Sequence, residues 1–504
     1  MTTTQSGSAI AGAKPARVPR IAIIGAGMSG LCLAALLTRA GIDTFVVYEK
    51  ADRIGGTWRE NTYPGVACDV PSLRYQFSFA PHRGWSHLMS SGAEVLNYFR
   101  GVHDSYRLGD RVRTGVEVTR CEFTEGCWLL YSGAEVVGRA DFVVAATGVL
   151  HHPRWPDLPG AAEFAGPMFH SARWRHDLDL TGKRIGVIGT GSTAAQIVTA
   201  LAPHARTLTL FQRTPQWVLP LPNLSLRWLR LTRRRRVETV IDTAMGWMLG
   251  MFTAAVTRPG WQRAVVSGWA RANLATVRDR RLRAALTPDF APLCRRLIVS
   301  SGYYRALQRA NVALVTEGID RVVSNGVRGE DGVVHECEVL VLATGFDAQA
   351  FVRPMQVVGR DGVSLDQAWA GGPRAYRTVA HPGFPNFFMV MGPHSPVGNF
   401  SLTAIAETQS NYILAWIQRW QDGHIDLIEP TVQATERFNV EVRAAAADTI
   451  WASGCGGWYL GSDGLPAIWP WHPDRHAMML SELEPDEFEQ ARGTIRDGAD
   501  PIAR

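Results

Sequence analysis

A glycine-rich turn that directly follows a short apolar run constrains this chain of 504 residues more than any other feature. The run is residues 185–188, and the turn has glycine at positions 189 and 191 and alanine at position 194. Such glycines let the backbone approach a pyrophosphate, whose charge then lies against the N–H groups that open the next helix. The pattern predicts the strand, turn and helix of a Rossmann-like dinucleotide-binding domain. The phosphate-side residues are then Gly189, Gly191, Ser192 and Thr193.

The same pattern occurs near the N-terminus. An apolar strand at residues 21–24 leads into a glycine-rich turn, a helix-favouring segment at 31–40 and a strand that ends in Glu49. A carboxylate at that place accepts hydrogen bonds from an adenosine ribose 2′-hydroxyl and repels a 2′-phosphate. This unit is therefore predicted to hold FAD or NAD. Its predicted binding residues are Gly25, Gly27, Gly30 and Glu49.

The two units differ in the charge at one equivalent position. Glu49 lies 24 residues after Gly25, and the same step from Gly189 reaches Arg213, which Thr214 follows. A guanidinium binds a 2′-phosphate through two parallel hydrogen bonds. The first unit is therefore predicted to bind FAD and the second NADPH. The alternative is that Arg213 is an exposed residue at the end of a strand.

A loop rich in glycine, proline and aromatic residues lies between the two turns, at residues 55–69. It contains Gly56, Thr57 and Trp58 and ends in Asp69. Such a loop suits a flat ring that lies against backbone, with one carboxylate beside it. The alternative is that Asp69 only caps a turn.

Composition is that of a globular protein of two or three domains, with 46% hydrophobic and 19% charged residues. No apolar run approaches the roughly 20 residues of a membrane-spanning helix, and the uncharged run at residues 243–257 is shorter than that. We therefore expect no transmembrane segment. Residues 1–20 have no apolar core of the kind found in a signal peptide, which predicts a disordered leader and a cytoplasmic protein.

The seven cysteines are odd in number and scattered along the chain. They lack the paired spacing of a zinc site and of a compact redox pair. We therefore predict no metal site and no disulfide-reductase chemistry.

Residues 221–286 contain 13 arginines and three acidic residues, so this segment has a charge of +10. The net charge of the whole chain is +6, so the remaining residues together are near −4. A membrane surface or a nucleic acid could bind such a segment. We favour an Arg-rich helical insertion with a solvated face, because Trp, Leu and Met recur among the arginines and should face a core. No nucleic-acid partner is expected, and weak peripheral membrane contact stays open.

A further pattern precedes the second turn: Phe164, Gly166, His170 and Trp174. This spacing, together with the loop at 55–69, resembles the fingerprint of the Baeyer-Villiger monooxygenases. Arg175 departs from the Pro or Asp that usually follows the Trp. Related flavin monooxygenases that oxidise nitrogen or sulfur tend to have Tyr or Phe in place of Trp174.

The resemblance implies roles for residues that spacing alone does not explain. Asp69 would lie near the flavin and Tyr75 would contact it. Arg295 would approach the NADPH phosphate. Arg296 would be the active-site arginine, oriented by Asp69, and would stabilise the peroxyanion and the oxyanion of the adduct. The catalytic residues are thus Arg296 and Asp69.

The reaction implied by the resemblance converts a ketone to an ester or lactone with NADPH and O2, through a C4a-peroxyflavin and a tetrahedral (Criegee) adduct. Two alternatives stay open. One is a flavin-dependent N- or S-oxygenase, and the other is an NADPH oxidase-type flavoprotein. The sequence does not identify the ketone or the oligomeric state.

Two matched segments, residues 141–148 and 338–345, are apolar strands that end in Ala-Thr-Gly. In flavoproteins with two dinucleotide sites, the chain crosses between domains at such strands. The fold class is therefore α/β, with two Rossmann-like domains for FAD and NADP and a helical insertion. The predicted division is a leader at 1–20, the FAD domain at 21–150 and 346–504, and the NADP domain at 151–345, with the insertion at about 221–290. A loop at 396–399 resembles the substrate-side loop of the family.

Overall fold

The computed structural model describes residues 17–227, 235–397, 400–457, 460–461 and 464–489. Residues 1–16 of the predicted leader and residues 398–399 of the predicted substrate-side loop lie outside the described residues. The predicted leader is four residues too long, because residues 17–20 contact the rest of the protein. Arg17 forms an ion pair with Asp426 at 2.5 Å, and Arg20 pairs with Asp141 at 2.6 Å.

The described strands and helices follow the α/β pattern expected for the chain. The strands are β1 (Ile21–Ile24), β2 (Phe45–Glu49), β3 (Val112–Thr114), β4 (Arg120–Thr124), β5 (Cys127–Ser132), β6 (Glu135–Ala140), β7 (Phe142–Ala145), β8 (Met168–His170), β9 (Arg184–Ile188), β10 (Thr207–Phe211), β11 (Val218–Leu219), β12 (Ile298–Val299), β13 (Val312–Val315), β14 (Ile319–Val323), β15 (Gly326–Gly329), β16 (Val334–Glu336), β17 (Val339–Leu342), β18 (Gln356–Val358) and β19 (Phe387–Met389). The helices are α1 (Met28–Arg39), α2 (Thr57–Glu60), α3 (Gly92–Ser105), α4 (Ser192–Leu201), α5 (Arg235–Thr257), α6 (Trp261–Leu274), α7 (Arg280–Ala285), α8 (Tyr303–Leu307), α9 (Leu365–Ala368), α10 (Leu402–Gln421), α11 (Val432–Ala447) and α12 (Pro473–Met479).

The first sheet is parallel and has the strand order β19-β7-β1-β2-β3. Its central strand β1 is buried along its whole length, as expected for a strand covered on both faces. Helix α1 consists mainly of Leu and Ala, which favour helix, and its buried face shares an apolar core with α10. This arrangement confirms the first Rossmann-like unit.

The second sheet is also parallel, with the order β13-β10-β9-β17-β8. Val187 in its centre is aligned with Leu210 on one side and Val341 on the other. Helix α4 packs against this sheet and follows the second glycine-rich turn. The predicted fold class of two dinucleotide-binding units is therefore confirmed.

The chain passes between the two sheets twice, and the two passages lie side by side. One follows β7 and the other follows β17, each through Ala-Thr-Gly. Pro153 and Phe346 form an antiparallel bridge between them. The backbone N–H of Arg154 donates to the Gly345 carbonyl at 2.9 Å. These contacts hold the segments that follow β7 and β17 close together.

The described part of the Arg-rich segment is largely helical, as α5, α6 and α7 show, and residues 228–234 lie outside the described residues. The expectation that its large apolar residues face a core is wrong for two tryptophans. The exposed fraction is 65% for Trp247 and 60% for Trp261. One described helix bears on the expected absence of a transmembrane segment. Residues 240–257 of α5 have a mean hydropathy of 1.3 and could cross a membrane by length and composition alone. One such helix is weak evidence for a span.

Two of the seven cysteines are paired in the structure. Cys294 and Cys455 form a disulfide although 161 residues separate them. The other five cysteines are buried free thiols. Among the described residues, no group of three or more His, Cys, Asp or Glu side chains is arranged to hold a metal ion.

Candidate active site

The first glycine-rich turn is held by Glu49. This carboxylate is only 5% exposed and accepts hydrogen bonds from the Ala26 N–H at 2.9 Å and the Ala51 N–H at 3.0 Å. Arg59 forms an ion pair with it at 3.0 Å. The acidic residue therefore lies at the carboxyl end of β2, beside the turn, where the sequence predicts an adenosine ribose. Its charge is compensated by Arg59, which the sequence analysis did not single out.

The turn and the following loop approach each other closely at two glycines. A Cβ atom on Gly56 would lie 2.9 Å from the Cα of Gly27, and Gly56 has a φ of +52°. The Gly55 N–H donates to the Ala26 carbonyl at 3.0 Å. A side chain at Gly27 or Gly56 would therefore fill the space beside the N-terminus of α1. Gly30 belongs to the same turn, because a Cβ there would collide with the Gly25 carbonyl.

Two aromatic side chains support the loop at residues 55–69. The Trp58 indole N–H donates to the Tyr75 hydroxyl at 3.1 Å, and the two rings pack edge to face. Tyr75 is buried, and burial raises its pKa well above the ordinary value. Its phenol is therefore neutral at physiological pH and can act as a hydrogen-bonding wall. Thr57 opens the short helix α2 next to Trp58.

The predicted catalytic pair is formed in the structure. Arg296 Nη2 donates to Asp69 Oδ2 at 2.6 Å, although 227 residues separate the two in the chain. Both side chains are partly exposed, with 31% of Arg296 and 24% of Asp69 accessible. The short distance is typical of a charge-assisted hydrogen bond. The pair thus presents an oriented guanidinium at an accessible surface.

The second turn has the geometry that the sequence predicts. Gly189 has a φ of +116°, and a Cβ there would collide with the Ala343 carbonyl at the end of β17. Helix α4 begins at Ser192, and Gly191 occupies its N-cap position. The N–H groups of the first helical residues, Ser192 and Thr193 among them, thus open toward the end of the sheet.

Arg213 lies just beyond β10, as the sequence spacing predicts. It is exposed, while Thr190 Oγ1 donates to the carbonyl of the adjacent Thr214 at 2.7 Å. Burial lowers the pKa of Arg295, Asp289 opposes this effect, and the nearby charge of Arg213 lowers the pKa further. Arg213 and Arg295 therefore both contribute positive charge to this part of the second unit, which suits a dianionic phosphate.

One cavity of about 970 Å³ connects most of these groups. Both glycine-rich turns and the Asp69–Arg296 pair line it. The predicted site residues on its wall are Gly25, Gly27, Glu49, Gly56, Thr57, Trp58, Asp69, Tyr75, Gly191, Ser192, Thr193 and Arg296. The predicted residues that do not line it are Gly30, Gly189, Arg213, Thr214 and Arg295.

The fingerprint residues upstream of the second turn support the crossing segments. His170 is fully buried, and its Nε2 lies 3.1 Å from the Gly345 carbonyl. A Cβ on Gly166 would collide with the Glu338 carbonyl and lie 3.0 Å from the Phe164 ring. Trp174 packs edge to face on Phe169 of β8. These residues therefore fix β8 and the second crossing, rather than contribute a reactive group.

Gln196 was not predicted as a site residue, although it links the two units. The Tyr63 hydroxyl donates to Gln196 Oε1 at 2.9 Å, and Gln196 Nε2 donates to the Ala67 carbonyl at 3.0 Å. Burial raises the pKa of Tyr63 to about 12. The contact ties α4 to the loop that carries Asp69. Its sequence signal is weak, because α4 also contains the polar residues Ser192, Thr193 and Thr199.

Comparisons with known proteins agree with this geometry. The family model of pyridine nucleotide-disulphide oxidoreductases matches residues 22–259, a range that contains both glycine-rich turns. A Baeyer-Villiger monooxygenase of Streptomyces coelicolor is 38% identical, over 90% of this chain and 88% of its own length. An uncharacterized monooxygenase of Mycobacterium tuberculosis is 50% identical, over 94% of this chain and 97% of its own.

A solved structure extends the similarity to three dimensions. Cyclohexanone monooxygenase from Rhodococcus sp. Phi1, bound to NADP+, superposes with a TM-score of 0.84 at 30% identity. The match covers 94% of this chain and 99% of that chain. A fold with two dinucleotide turns around one cavity defines a flavoprotein oxidoreductase. The chain belongs to the Baeyer-Villiger monooxygenase family, whose cofactors are FAD and NADP.

Proposed function

We propose that this flavin monooxygenase uses NADPH and O2 to convert ketones to esters or lactones. The observation that carries the proposal is the Arg296–Asp69 pair, 2.6 Å apart on the wall of the cavity that both glycine-rich turns line. Attack on a carbonyl group by an anionic oxygen requires a fixed cation, and this pair supplies one.

The residues around the first turn fit FAD. Glu49 would accept the ribose hydroxyls, and Gly25, Gly27 and Gly30 would let the pyrophosphate reach the N-terminus of α1. Gly56, Thr57 and Trp58, supported by Tyr75, would hold the ring system beside Asp69. When bound, FAD would supply the reduced flavin that activates O2 for the oxidation of the ketone.

Arg296 would stabilise negative charge on oxygen during carbonyl attack. Asp69 accepts from Nη2, so it fixes the plane of the guanidinium and keeps the cation in place. A preorganised donor of this kind contributes typically ~3 to 4 kcal/mol to the stability of a transition state. In this proposal Arg296 touches the reacting oxygens, and Asp69 orients it.

The residues around the second turn fit NADPH. Gly189 and Gly191 would let the pyrophosphate approach, and Ser192 and Thr193 would donate from the start of α4. Arg213, with Thr214 beside it and Arg295 nearby, would bind the 2′-phosphate. The contacts of Gln196 with Tyr63 and Ala67 would fix the position of this site relative to the proposed FAD site.

The substrate would reach the site through a neighbouring cavity of about 550 Å³. The two cavities share four lining residues, Val149, Ala348, Met391 and Val397. This second cavity is mostly apolar, since Trp369, Phe384 and Ile468 also line it. An apolar ketone with O2 as co-substrate fits this surface.

We also propose that the two sheets correspond to two domains. The FAD domain would comprise residues 21–150 and 346–504, and the NADP domain residues 151–345, with a helical insertion at about 221–290. The adjoining passages after β7 and β17 support these boundaries.

The test is product analysis with purified enzyme, NADPH and a panel of linear, cyclic and aryl ketones, with O2 uptake recorded in parallel. The proposal expects an ester or lactone and O2 uptake that depends on the ketone. Oxygenation of amines or sulfides without any ketone product would favour an N- or S-oxygenase. Release of hydrogen peroxide with every substrate would favour an NADPH oxidase-type flavoprotein.

A further inference from the structure

The Cys294–Cys455 disulfide joins the segment that carries Arg296 to a glycine-rich segment far along the chain. The two Cα atoms lie 6.1 Å apart, as in ordinary disulfides. Cys294 directly precedes Arg295 and Arg296. Cys455 is flanked by Gly454, Gly456 and Gly457, which all have positive φ angles.

Further contacts lie along the same connection. Arg295 Nε donates to the Cys455 carbonyl at 2.7 Å, and its guanidinium lies 4.6 Å from the centre of the Phe290 ring. The Ser453 hydroxyl lies 3.0 Å from Cys294 Sγ. Arg295 therefore contacts the Cys455 backbone and is joined to Arg296 by a peptide bond.

The two halves of the disulfide differ in exposure. Cys294 is 3% exposed, whereas Cys455 is half-buried between the exposed residues 453, 454 and 457. Cys455 is therefore the half of the bond that lies nearer to solvent. Disulfides in reducing compartments are commonly redox-sensing or catalytic rather than permanent.

We propose that the Cys294–Cys455 bond is a thiol-exchangeable link that positions Arg296, so that the redox state of the pair sets how much product is formed per NADPH. The inference rests on the proposed function for its effect on product, and the bond itself can be tested without it. Cys294 and Cys455 act here as positioning residues.

A low-molecular-weight thiol such as glutathione supplies the two electrons that reduce the disulfide. A thiolate attacks Cys455 Sγ, the S–S bond breaks, and its electron pair leaves on Cys294, which takes up a proton. A second thiolate then attacks the mixed disulfide and releases Cys455 as a thiol and glutathione disulfide. The protein gains two electrons and two protons, and glutathione disulfide reverses the exchange.

Reduction would release the glycine-rich segment, because glycine regains more backbone freedom than any other residue. Arg295 would lose its fixed carbonyl partner, and the next residue would be held less firmly. We expect the product formed per NADPH to fall about tenfold, since small displacements of a catalytic group lower the rate by up to ~10². The hydrogen peroxide released per NADPH should rise correspondingly.

The experiment uses the FAD-loaded full-length enzyme, equilibrated with either dithiothreitol or oxidised glutathione. Alkylation and peptide mapping report the state of Cys294 and Cys455, and product and peroxide are measured per NADPH. Wild type should lose product on reduction and recover it on reoxidation. Cys455→Ser should show the low value under both conditions. Cys127→Ser, which removes a buried free thiol in β5, should behave like wild type.

Two results would overturn the inference. One is alkylation of both cysteines after treatment with oxidised glutathione. The other is a product yield that stays unchanged when mapping shows the bond to be reduced. If Cys455→Ser does not fold, the wild-type comparison of reduced and reoxidised enzyme still decides the question.

A measurement without ketone separates this inference from the proposed function. Hydrogen exchange in residues 289–297 and 453–457 of the FAD-loaded enzyme should increase on reduction in wild type and stay unchanged in Cys455→Ser. If no ketone is oxygenated, the proposed function is wrong. Peptide mapping and hydrogen exchange still test whether the disulfide exchanges with thiols and orders the two segments. Equal exchange in both redox states would contradict it.

Discussion

At the scale of single residues, Arg296 has the clearest expected effect. Replacement of Arg296 by Ala should leave flavin reduction by NADPH largely intact, because hydride transfer places no charge on the oxygens that the guanidinium faces. Ester or lactone formation should fall by ~10² or more, as expected on loss of a preorganised donor. Stopped-flow reduction and product chromatography on one preparation measure both steps.

Arg296→Lys is the matched control, since it keeps the charge and loses the planar fork that Asp69 holds. It should retain more product formation than Arg296→Ala. If Arg296→Ala keeps more than about a tenth of wild-type product formation, the loss is too small for a catalytic donor. The role would then move to another residue, with Arg295 as the nearest candidate.

Arg213 should determine the choice between NADPH and NADH. A charge-assisted contact to the 2′-phosphate contributes about 1.5 to 3 kcal/mol, which corresponds to a preference of roughly tenfold to a hundredfold. Arg213→Ala should therefore lower kcat/KM for NADPH and leave NADH unchanged. Arg206→Ala, an exposed arginine at the opposite end of β10, is the control. If Arg213→Ala keeps the wild-type preference for NADPH over NADH, Arg213 does not bind the 2′-phosphate.

The residues of the site differ in how far the sequence predicts them. Glu49 and Arg213 follow from local spacing alone, because each closes one strand–turn–helix–strand unit. Asp69 and Arg296 are 227 residues apart, so no local pattern pairs them, and only the family resemblance did so. The partners of a buried charge, such as Arg59 beside Glu49, depend on packing that spacing does not encode.

At the scale of elements, the Arg-rich insertion should not bind nucleic acid. The exposed residues Val240, Thr243, Ala244 and Trp247 recur at helical spacing on α5, and none of them is charged. Such a face lacks the guanidinium groups that contact phosphates. We expect no mobility shift with duplex DNA at physiological ionic strength. A shift that weakens steeply with added salt would contradict this.

Elements with strong apolar patterns are the ones that the sequence predicts well. β1, β9, β7 and β17 are continuous apolar runs, and all four lie at or next to the centre of a parallel sheet. The helices of the insertion were also expected. Their orientation was not, because Trp247 and Trp261 resemble core residues in composition and lie at the surface. Composition states which residues could be buried, whereas tertiary packing decides which are.

At the scale of the whole molecule, stability should fall on acidification because buried histidines stay neutral. Burial lowers the pKa of both His381 and His476 to about 3, from an ordinary value of 6.5. The unfolded chain therefore binds more protons between these values, so stability decreases as the pH falls through 6.5 and continues to decrease to about 3. Each histidine should contribute a loss of about 2 kcal/mol at pH 5.

Urea unfolding at pH 7 and pH 5 measures this loss. His476→Gln should reduce the difference between the two pH values by about the contribution of one histidine. His204→Gln, at an exposed position, should leave it unchanged. Equal pH dependence in wild type and His476→Gln would show that the neutral form of His476 does not contribute.

The strand order of the first sheet also governs how the chain can fold while it is being synthesised. β19 pairs with β7 but follows it by about 240 residues, so a ribosome that adds ~5 to 20 residues per second needs roughly 12 to 48 seconds to supply it. The second sheet lies wholly within that interval and can close first. Until β19 emerges, one edge of β7 presents unpaired backbone groups to other nascent chains. A chain that ends before residue 387 should therefore aggregate, even with all the strands of the second sheet present.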